Sequence, residues 1–276
     1  MGHHPYLYLR YPGFLNKAIT LSYDDGVPAD LRFMEILDRH GFKCTFNLNS
    51  GLFGTGSRLP EATVVEKYVH SEHEIAAHGY KHLALSALQE PALIYEILED
   101  RKNLEALAKK PVTGLAYAYG DFDDRVVSLL KDLGISYART VTSTRGFSLP
   151  TAPLLWDPTC HHNEPRLMEL AERFLEDPTV SYRGEPLLFY LWGHSYEFDE
   201  KHNNNWEVIE RFCEYAGGRD DVWYATNGEI WSYISAYRAL IFDVAMETVM
   251  NPTSTDVYLC MNGKNVVARA GELTVF

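Results

Sequence analysis

The chain has 276 residues, 46% of them hydrophobic, and a formal net charge of −13. This length and composition suffice for one large domain, or for one domain with a small appendage. The excess of negative charge disfavours nucleic acid and anionic polymers as partners. No apolar run approaches the roughly 18 residues of a membrane span, so we expect no transmembrane segment.

The N-terminal stretch 1–10 lacks the charged segment followed by an apolar run that marks a signal peptide. The cysteines are widely spaced and form no CxxC pair, which argues against a disulfide framework or a zinc knuckle. We therefore expect a cytoplasmic protein, because a reducing compartment is the simplest one for these thiols. The four cysteines are Cys44, Cys160, Cys213 and Cys260.

Strand and helix patterns alternate along most of the chain. Repeated βα units predict parallel strands joined by right-handed crossovers, and hence an α/β fold: an incomplete (β/α) barrel of about seven parallel strands. The predicted strands are 18–23, 43–48, 73–77, 112–117, 135–138, 186–192 and 222–225. The predicted helices are 28–40, 61–69, 90–109, 123–133, 164–175, 205–216 and 227–240.

The C-terminal tail has a different pattern. Residues 257–261 and 264–268 flank Asn262–Gly263, a pair suited to a type I′ turn, and so predict a β-hairpin, to which 273–276 could add a third strand. We predict a barrel domain over 1–244 and a small β appendage, packed on the barrel, over 245–276.

Two short motifs carry the main functional signal. Asp24 and Asp25 follow a predicted apolar strand and come just before Gly26. His78 and His82 lie four positions apart and follow the predicted strand 73–77. Each motif has a structural interpretation, since two aspartates before a glycine often form only a turn and a His pair can be accidental in a chain with 11 histidines. Together, two imidazoles and one carboxylate predict an open hydrolytic metal site, which leaves the second carboxylate as a base.

These motifs resemble those of the polysaccharide deacetylases, the NodB-homology or carbohydrate esterase 4 family. The resemblance rests on ITLSYDDG at 19–26, EIAAHGYKH at 74–82, AYAYG at 116–120 and LWGH at 191–194, and it covers roughly residues 15–235. It implies a distorted (β/α) barrel and metal-dependent removal of an N-acetyl group from an amino sugar.

The resemblance also implies a role for each matching residue. Asp24 is expected to be the general base, His194 the general acid, and the backbone N–H of Tyr119 an oxyanion donor. Asp25, His78 and His82 are expected to bind one divalent ion, most often zinc, with cobalt, nickel or manganese as alternatives.

One motif departs from the family pattern. The third motif usually has an arginine and a proline where this chain has Ala116 and Ala118. The missing arginine ordinarily pairs with the catalytic aspartate, so its loss indicates altered tuning of the base, a changed substrate, or lost activity. Arg139 ends the next strand, and we predict that it contacts Asp24 instead.

Further residues were assigned from their positions near strand ends. Asp157 is predicted to orient His194, and His161 and His162 to line the pocket or lie at the surface. Four aromatic residues are predicted either to line a sugar subsite or to pack in the core: Tyr117, Tyr119, Trp192 and Tyr196.

The sequence thus predicts a metal-dependent deacetylase that acts on an N-acetylated sugar or oligosaccharide. Two alternatives stay open: an amide hydrolase for a non-sugar small molecule, and a carbohydrate-binding barrel with impaired catalysis. Ala116 favours the last of these, whereas the intact acidic and histidine residues argue against it.

Overall fold

The computed structural model describes residues 6–181, 184–199 and 205–276. Its strands are β1 (Leu7–Arg10), β2 (Lys17–Asp24), β3 (Cys44–Leu48), β4 (Glu74–Ala77), β5 (Gly114–Ala116), β6 (Tyr137–Arg139), β7 (Cys160–His161), β8 (Leu187–Gly193), β9 (Val222–Tyr224), β10 (Ile241–Phe242), β11 (Thr248–Met250), β12 (Val257–Met261), β13 (Lys264–Ala268) and β14 (Leu273–Val275). Its α-helices are α1 (Ala29–Arg39), α2 (Glu61–Val64), α3 (Glu90–Ala108), α4 (Asp124–Asp132), α5 (Leu167–Glu176), α6 (Glu207–Ala216) and α7 (Asn227–Arg238).

The central sheet is a curled barrel of parallel strands. Seven strands pair in the order β6-β5-β4-β3-β2-β8-β7, and β9 pairs with the first half of β2. The predicted distorted barrel is therefore confirmed. The short strand β7 was not predicted, because two residues are too few to show a periodic pattern.

The two edges of the sheet approach each other through residues 156–161. Trp156 forms a parallel bridge to Arg139 of β6, and the N–H of Thr159 donates to the carbonyl of Tyr190 in β8 at 2.9 Å. This segment lies between strands β6 and β8, so it brings the end of β6 close to the end of β8.

Burial on both faces explains the apolar composition of the central strands. All seven residues of β8 are buried, and so are all five of β3, as is typical of parallel strands covered on both sides. Alternate residues serve different cores: Phe189 packs with the helices, and Tyr190 packs on the other face with Trp156. Strand periodicity thus fixes which side chains face which layer.

The C-terminal strands form two small antiparallel sheets. The predicted hairpin is confirmed by the pairing of β12 with β13. Its third strand is β1 from the N-terminal part of the chain, whereas β14 pairs with β11 in a second sheet together with β10. Strands therefore join the small sheets from both sides of the predicted boundary at 244/245, and the division into two domains stays a prediction.

The carboxyl ends of the barrel strands carry the residues of interest. Strands β2, β4, β6 and β8 run parallel, so their C-terminal ends lie at the same end of the barrel, where active sites of such folds are built. Among the described residues, the helices are all too short or too polar to cross a membrane.

Candidate active site

The end of β2 turns sharply so that two neighbouring carboxylates meet different partners. Asp24 is the last strand residue, and Asp25 has a φ of 91° followed by Gly26 at 67°. Aspartate and glycine adopt such positive φ values more readily than other residues. A Cβ on Gly26 would also lie 3.0 Å from the Leu48 side chain, so the DDG sequence suits this turn.

Asp24 is buried and surrounded by donors. Its Oδ2 lies 2.5 Å from Arg139 Nη2, and its Oδ1 accepts a 2.8 Å hydrogen bond from Asn47 Nδ2. His78 Nε2 and His194 Nε2 each lie 3.8 Å from the same Oδ2. Burial alone would raise the pKa of Asp24, but the positive charge of Arg139 and these neighbours lower it to about 2.

Arg139 reaches Asp24 from β6, as the sequence analysis predicted for its position. The side chain is fully buried, and the guanidinium lies 4.3 Å from the ring centroid of Trp192. A second nitrogen, Nη1, donates to the Thr140 carbonyl at 3.1 Å. Because the contacts with Trp192 and Asp24 are both favourable for a guanidinium, this arrangement compensates for part of the cost of burying the charge.

Asp25 faces the histidine pair. His82 Nε2 lies 3.7 Å from Asp25 Oδ1, and His78 Nε2 lies 4.0 Å from it. In a tetrahedral zinc site with bonds of about 2.0–2.1 Å, ligand atoms lie about 3.3 Å apart. The three donors are thus within a small adjustment of metal-binding geometry, and they form one of the candidate metal groups in the described part of the chain.

The protonation of the histidines also fits a metal site. His78 Nδ1 lies 2.8 Å from the Ala116 carbonyl, so an N–H there would leave the Nε2 lone pair directed toward Asp25. Burial and the nearby His78 lower the pKa of His82 to about 4, which keeps its ring neutral at pH 7. Position 116 therefore contributes a backbone carbonyl that orients His78.

Buried acids of α3 support the loop that carries both histidines. Asp100 accepts hydrogen bonds from the backbone N–H of His78 at 3.0 Å and of Ser50 at 2.8 Å, and Glu96 accepts from Lys81 N–H at 2.7 Å. The sequence analysis did not identify these supporting carboxylates. The sequence feature that could have identified them is a pair of acids, four residues apart, on the face of α3 that also carries buried leucines.

Arg58 and Asn47 also belong to the site and were missed. Arg58 Nη2 lies 2.6 Å from Asp25 Oδ1, and it comes from the irregular segment before α2, where no pattern marks it. Asn47 stands opposite Asp24 in the parallel register of β2 and β3. A polar residue within a buried strand beside the aspartate was the available signal for Asn47.

His194 lies between two carboxylates. Its Nε2 faces Asp24, and its Nδ1 lies 3.6 Å from Glu197 Oε1. Burial lowers the pKa of His194, but the contact with Glu197 and the charge of Asp24 outweigh it, so the pKa is raised above its usual value. The protonated form of the ring is therefore more stable here than in a free histidine.

The prediction that Asp157 orients His194 is wrong in this structure. Asp157 accepts a hydrogen bond from the Thr140 hydroxyl and lines a separate cavity of about 270 Å³. Among the described residues, the carboxylate beside His194 Nδ1 is that of Glu197, which lies one helical turn further along the chain. The spacing His194-x-x-Glu197 was the sequence signal for this contact.

The four predicted aromatic residues divide into two pairs. Tyr119 is 72% exposed, and its ring lies edge-on to His82 with centroids 4.4 Å apart; Tyr196 is half-buried beside His194. Trp192 is largely buried against Arg139. Tyr117 is a core residue and not a subsite residue, because it is buried and its hydroxyl donates to the Leu154 carbonyl at 2.8 Å.

The structure thus combines a barrel of parallel strands with a group of one aspartate and two histidines that could hold a metal ion. The family profile described as polysaccharide deacetylase matches residues 13–138. Chitin deacetylase 1 of Cryptococcus neoformans var. grubii is 31% identical over 119 residues, which are 42% of this chain and 24% of that protein. The chain therefore matches about a quarter of the length of this relative.

Two solved structures share the fold. A candidate polysaccharide deacetylase from Mycobacterium smegmatis has a TM-score of 0.59 at 17% identity, covering 84% of this chain and 94% of that chain. Puue allantoinase has a TM-score of 0.59 at 16% identity, covering 80% and 91%. Residues 13–138, just under half of this chain, are therefore similar to the polysaccharide deacetylase family, and the shared fold extends beyond them.

Proposed function

We propose that this protein is a metal-dependent deacetylase that hydrolyses the N-acetyl group of an amino sugar or oligosaccharide. The observation that carries the proposal is that two groups of side chains lie next to each other. Asp25, His78 and His82 form a three-donor group, and Asp24 lies beside it as a buried carboxylate held by Arg139. The similarity of residues 13–138 to the polysaccharide deacetylase family supports the same reaction class.

The donor set determines which cofactor fits. Two imidazoles and one carboxylate suit zinc, with cobalt, nickel and manganese as alternatives. A divalent ion held there would supply Lewis acidity to the acetyl carbonyl and lower the pKa of water toward about 7. Arg58 Nη2 lies 2.6 Å from Asp25 Oδ1, the oxygen that also faces both histidines, so it would orient this carboxylate at the donor atom itself.

The protein's own residues then divide the proton transfers. Asp24, kept ionised by its low pKa, accepts the proton of the attacking water, and Asn47 and Arg139 fix its orientation. His194, whose pKa is raised, donates a proton to the amine as the C–N bond breaks. The products are acetate and the free amine.

The backbone at Tyr119 supplies a further element. Tyr119 has a φ of 60°, a left-handed conformation that is strained for a residue with a bulky side chain. We propose that this conformation directs its N–H toward the developing oxyanion, where such donors contribute most. Its exposed ring beside His82 provides an apolar surface for a sugar face.

The function is tested by acetate release from a panel of N-acetylated mono- and oligosaccharides, with non-sugar N-acetyl amides and cyclic amides included. We expect turnover of sugar substrates by zinc-loaded protein and loss of turnover after chelation. Turnover of only the non-sugar amides would overturn the sugar assignment but keep the hydrolase. Binding of sugars without any acetate release would indicate the carbohydrate-binding alternative.

The metal site is tested by the variants His78→Ala and His82→Ala. We expect each variant to lose about 10-fold or more in zinc affinity at the Asp25 site, because each removes one of three protein ligands. Metal content after equilibrium dialysis is the measurement, and His70→Ala, at an exposed histidine, is the matched control. Parent-like zinc affinity in both variants would show that the site is misassigned.

A further inference from the structure

A second group of ligand-type side chains lies at the opposite ring nitrogen of His194. Glu197 approaches three histidines: its Oε2 is 3.1 Å from His161 Nε2 and 3.0 Å from His162 Nε2, and its Oε1 is 3.6 Å from His194 Nδ1. The sequence alone predicts that His161 and His162 line the pocket or lie at the surface. The proposed reaction uses neither of them.

The atoms in this group are close together but are not aligned for hydrogen bonding. Within the described residues, His162 Nε2, His194 Nδ1 and Glu197 Oε2 are buried and make no hydrogen bond of acceptable geometry. Buried polar atoms normally have partners, so these three atoms, two of which belong to the group of His161, His194 and Glu197, require an explanation. Ligands of one metal ion show this arrangement, because they lie about 3.3 Å apart and point at the ion, not at each other.

The chemistry of the group suits a transition metal. It brings imidazole nitrogens together with one carboxylate, and both are zinc-type ligands.

Neighbouring groups fix the ring of His162. Its Nδ1 lies 3.1 Å from the Tyr23 hydroxyl, which is the type of outer contact that orients metal-binding histidines. The ring also packs directly against Gly193, where an added Cβ would come within 2.0 Å of Nδ1. His162 is thus held by its surroundings, with Nε2 facing Glu197.

We infer that His161, His194 and Glu197 form a second zinc site, with His162 as an adjacent fourth donor. The three named residues have ligand atoms that all lie within 4.8 Å of one another. Binding through His161 Nε2 places a proton on Nδ1, so the exposed Asn163 N–H that now approaches Nδ1 at 3.1 Å would turn to solvent. His161 is itself partly exposed, which gives an ion a route of entry.

The second site goes beyond the proposed function but shares His194 with it. An ion on Nδ1 requires the ring proton to reside on Nε2, the nitrogen that faces Asp24 at 3.8 Å. Occupancy would therefore fix one tautomer of His194. The binding test below does not depend on turnover, so it can succeed or fail separately from the deacetylase proposal.

The experiment measures zinc stoichiometry and affinity on the full chain after chelator treatment. A background with His3→Ala and His4→Ala removes the N-terminal histidine pair as a source of extra binding. We expect two zinc ions per chain in this background, one after His161→Ala, and one after Asp25→Asn combined with His78→Ala. The exposed His70→Ala variant serves as the control and should keep two.

Each alternative result has a defined meaning. If the background protein binds one zinc ion and still binds it after His161→Ala, the second site is overturned. If that ion is instead lost after His161→Ala and retained in the Asp25→Asn, His78→Ala variant, the second site stands and the first is misassigned. Should His161→Ala fail to fold, as judged by circular dichroism, Glu197→Gln replaces it, and two ions retained there would also overturn the inference.

Discussion

Asp24→Asn is expected to abolish most turnover while leaving zinc bound. The substitution removes the only proposed base, and loss of general-base catalysis costs on the order of 10²–10⁴-fold in kcat. Zinc content should not change, because Asp25 and not Asp24 belongs to the three-donor group. The measurements are kcat for acetate release and metal content on the same preparation.

Two comparison variants make the Asp24 result specific. Asp25→Asn should weaken zinc binding itself, and the exposed Asp132→Asn should change neither property. Because Asp24→Asn also leaves Arg139 buried without its carboxylate, folding must be verified by thermal unfolding. Loss of zinc in Asp24→Asn with full retention in Asp25→Asn would reverse the two roles.

Arg139→Ala is expected to reduce both stability and turnover. Removing one partner of a buried ion pair leaves the other charge uncompensated, which costs about 3–5 kcal/mol, and the Trp192 contact is lost as well. The loss of a positive charge 2.5 Å from Asp24 raises the pKa of that carboxyl. The acid limb of the pH–rate profile should therefore move to higher pH, because the base must be unprotonated to act.

The Arg139 prediction is checked with substitutions that separate charge from shape. Arg139→Lys keeps the charge and should rescue activity only partly, because lysine lacks the fork that contacts Asp24 and the Thr140 carbonyl together. Arg139→Met keeps most of the volume without the charge and should behave like alanine in its pH profile. The exposed Arg39→Ala is the control, and an unchanged profile in folded Arg139→Ala would contradict the role.

The sequence was sufficient for the architecture of the barrel because its signals are local. The continuous apolar run at β8 follows from burial on both faces, and the Asn262–Gly263 turn defines the hairpin. Strand partners outside these local patterns were not predictable. The pairing of β1 with β12 joins residues more than two hundred positions apart, and no periodicity within either segment indicates that contact.

For the site, the sequence determined the residues that end parallel strands. Asp24, His78, Arg139 and His194 follow β2, β4, β6 and β8 or end them, and parallel strands deliver such residues to one end of a barrel. This rule is why Arg139 could be predicted as the partner of Asp24 without an arginine at position 116. It applies to strand ends and gives no position for residues in irregular segments.

The tertiary structure alone decided which side chains surround those strand ends. Glu197, not Asp157, lies beside His194, and Arg58 reaches Asp25 from an irregular segment. Tyr117 turned inward to the core, whereas Tyr119, two residues later, turned outward through a left-handed backbone conformation. These outcomes depend on backbone turns and on packing between distant segments, so the local residue patterns that predicted the barrel contain no information about them.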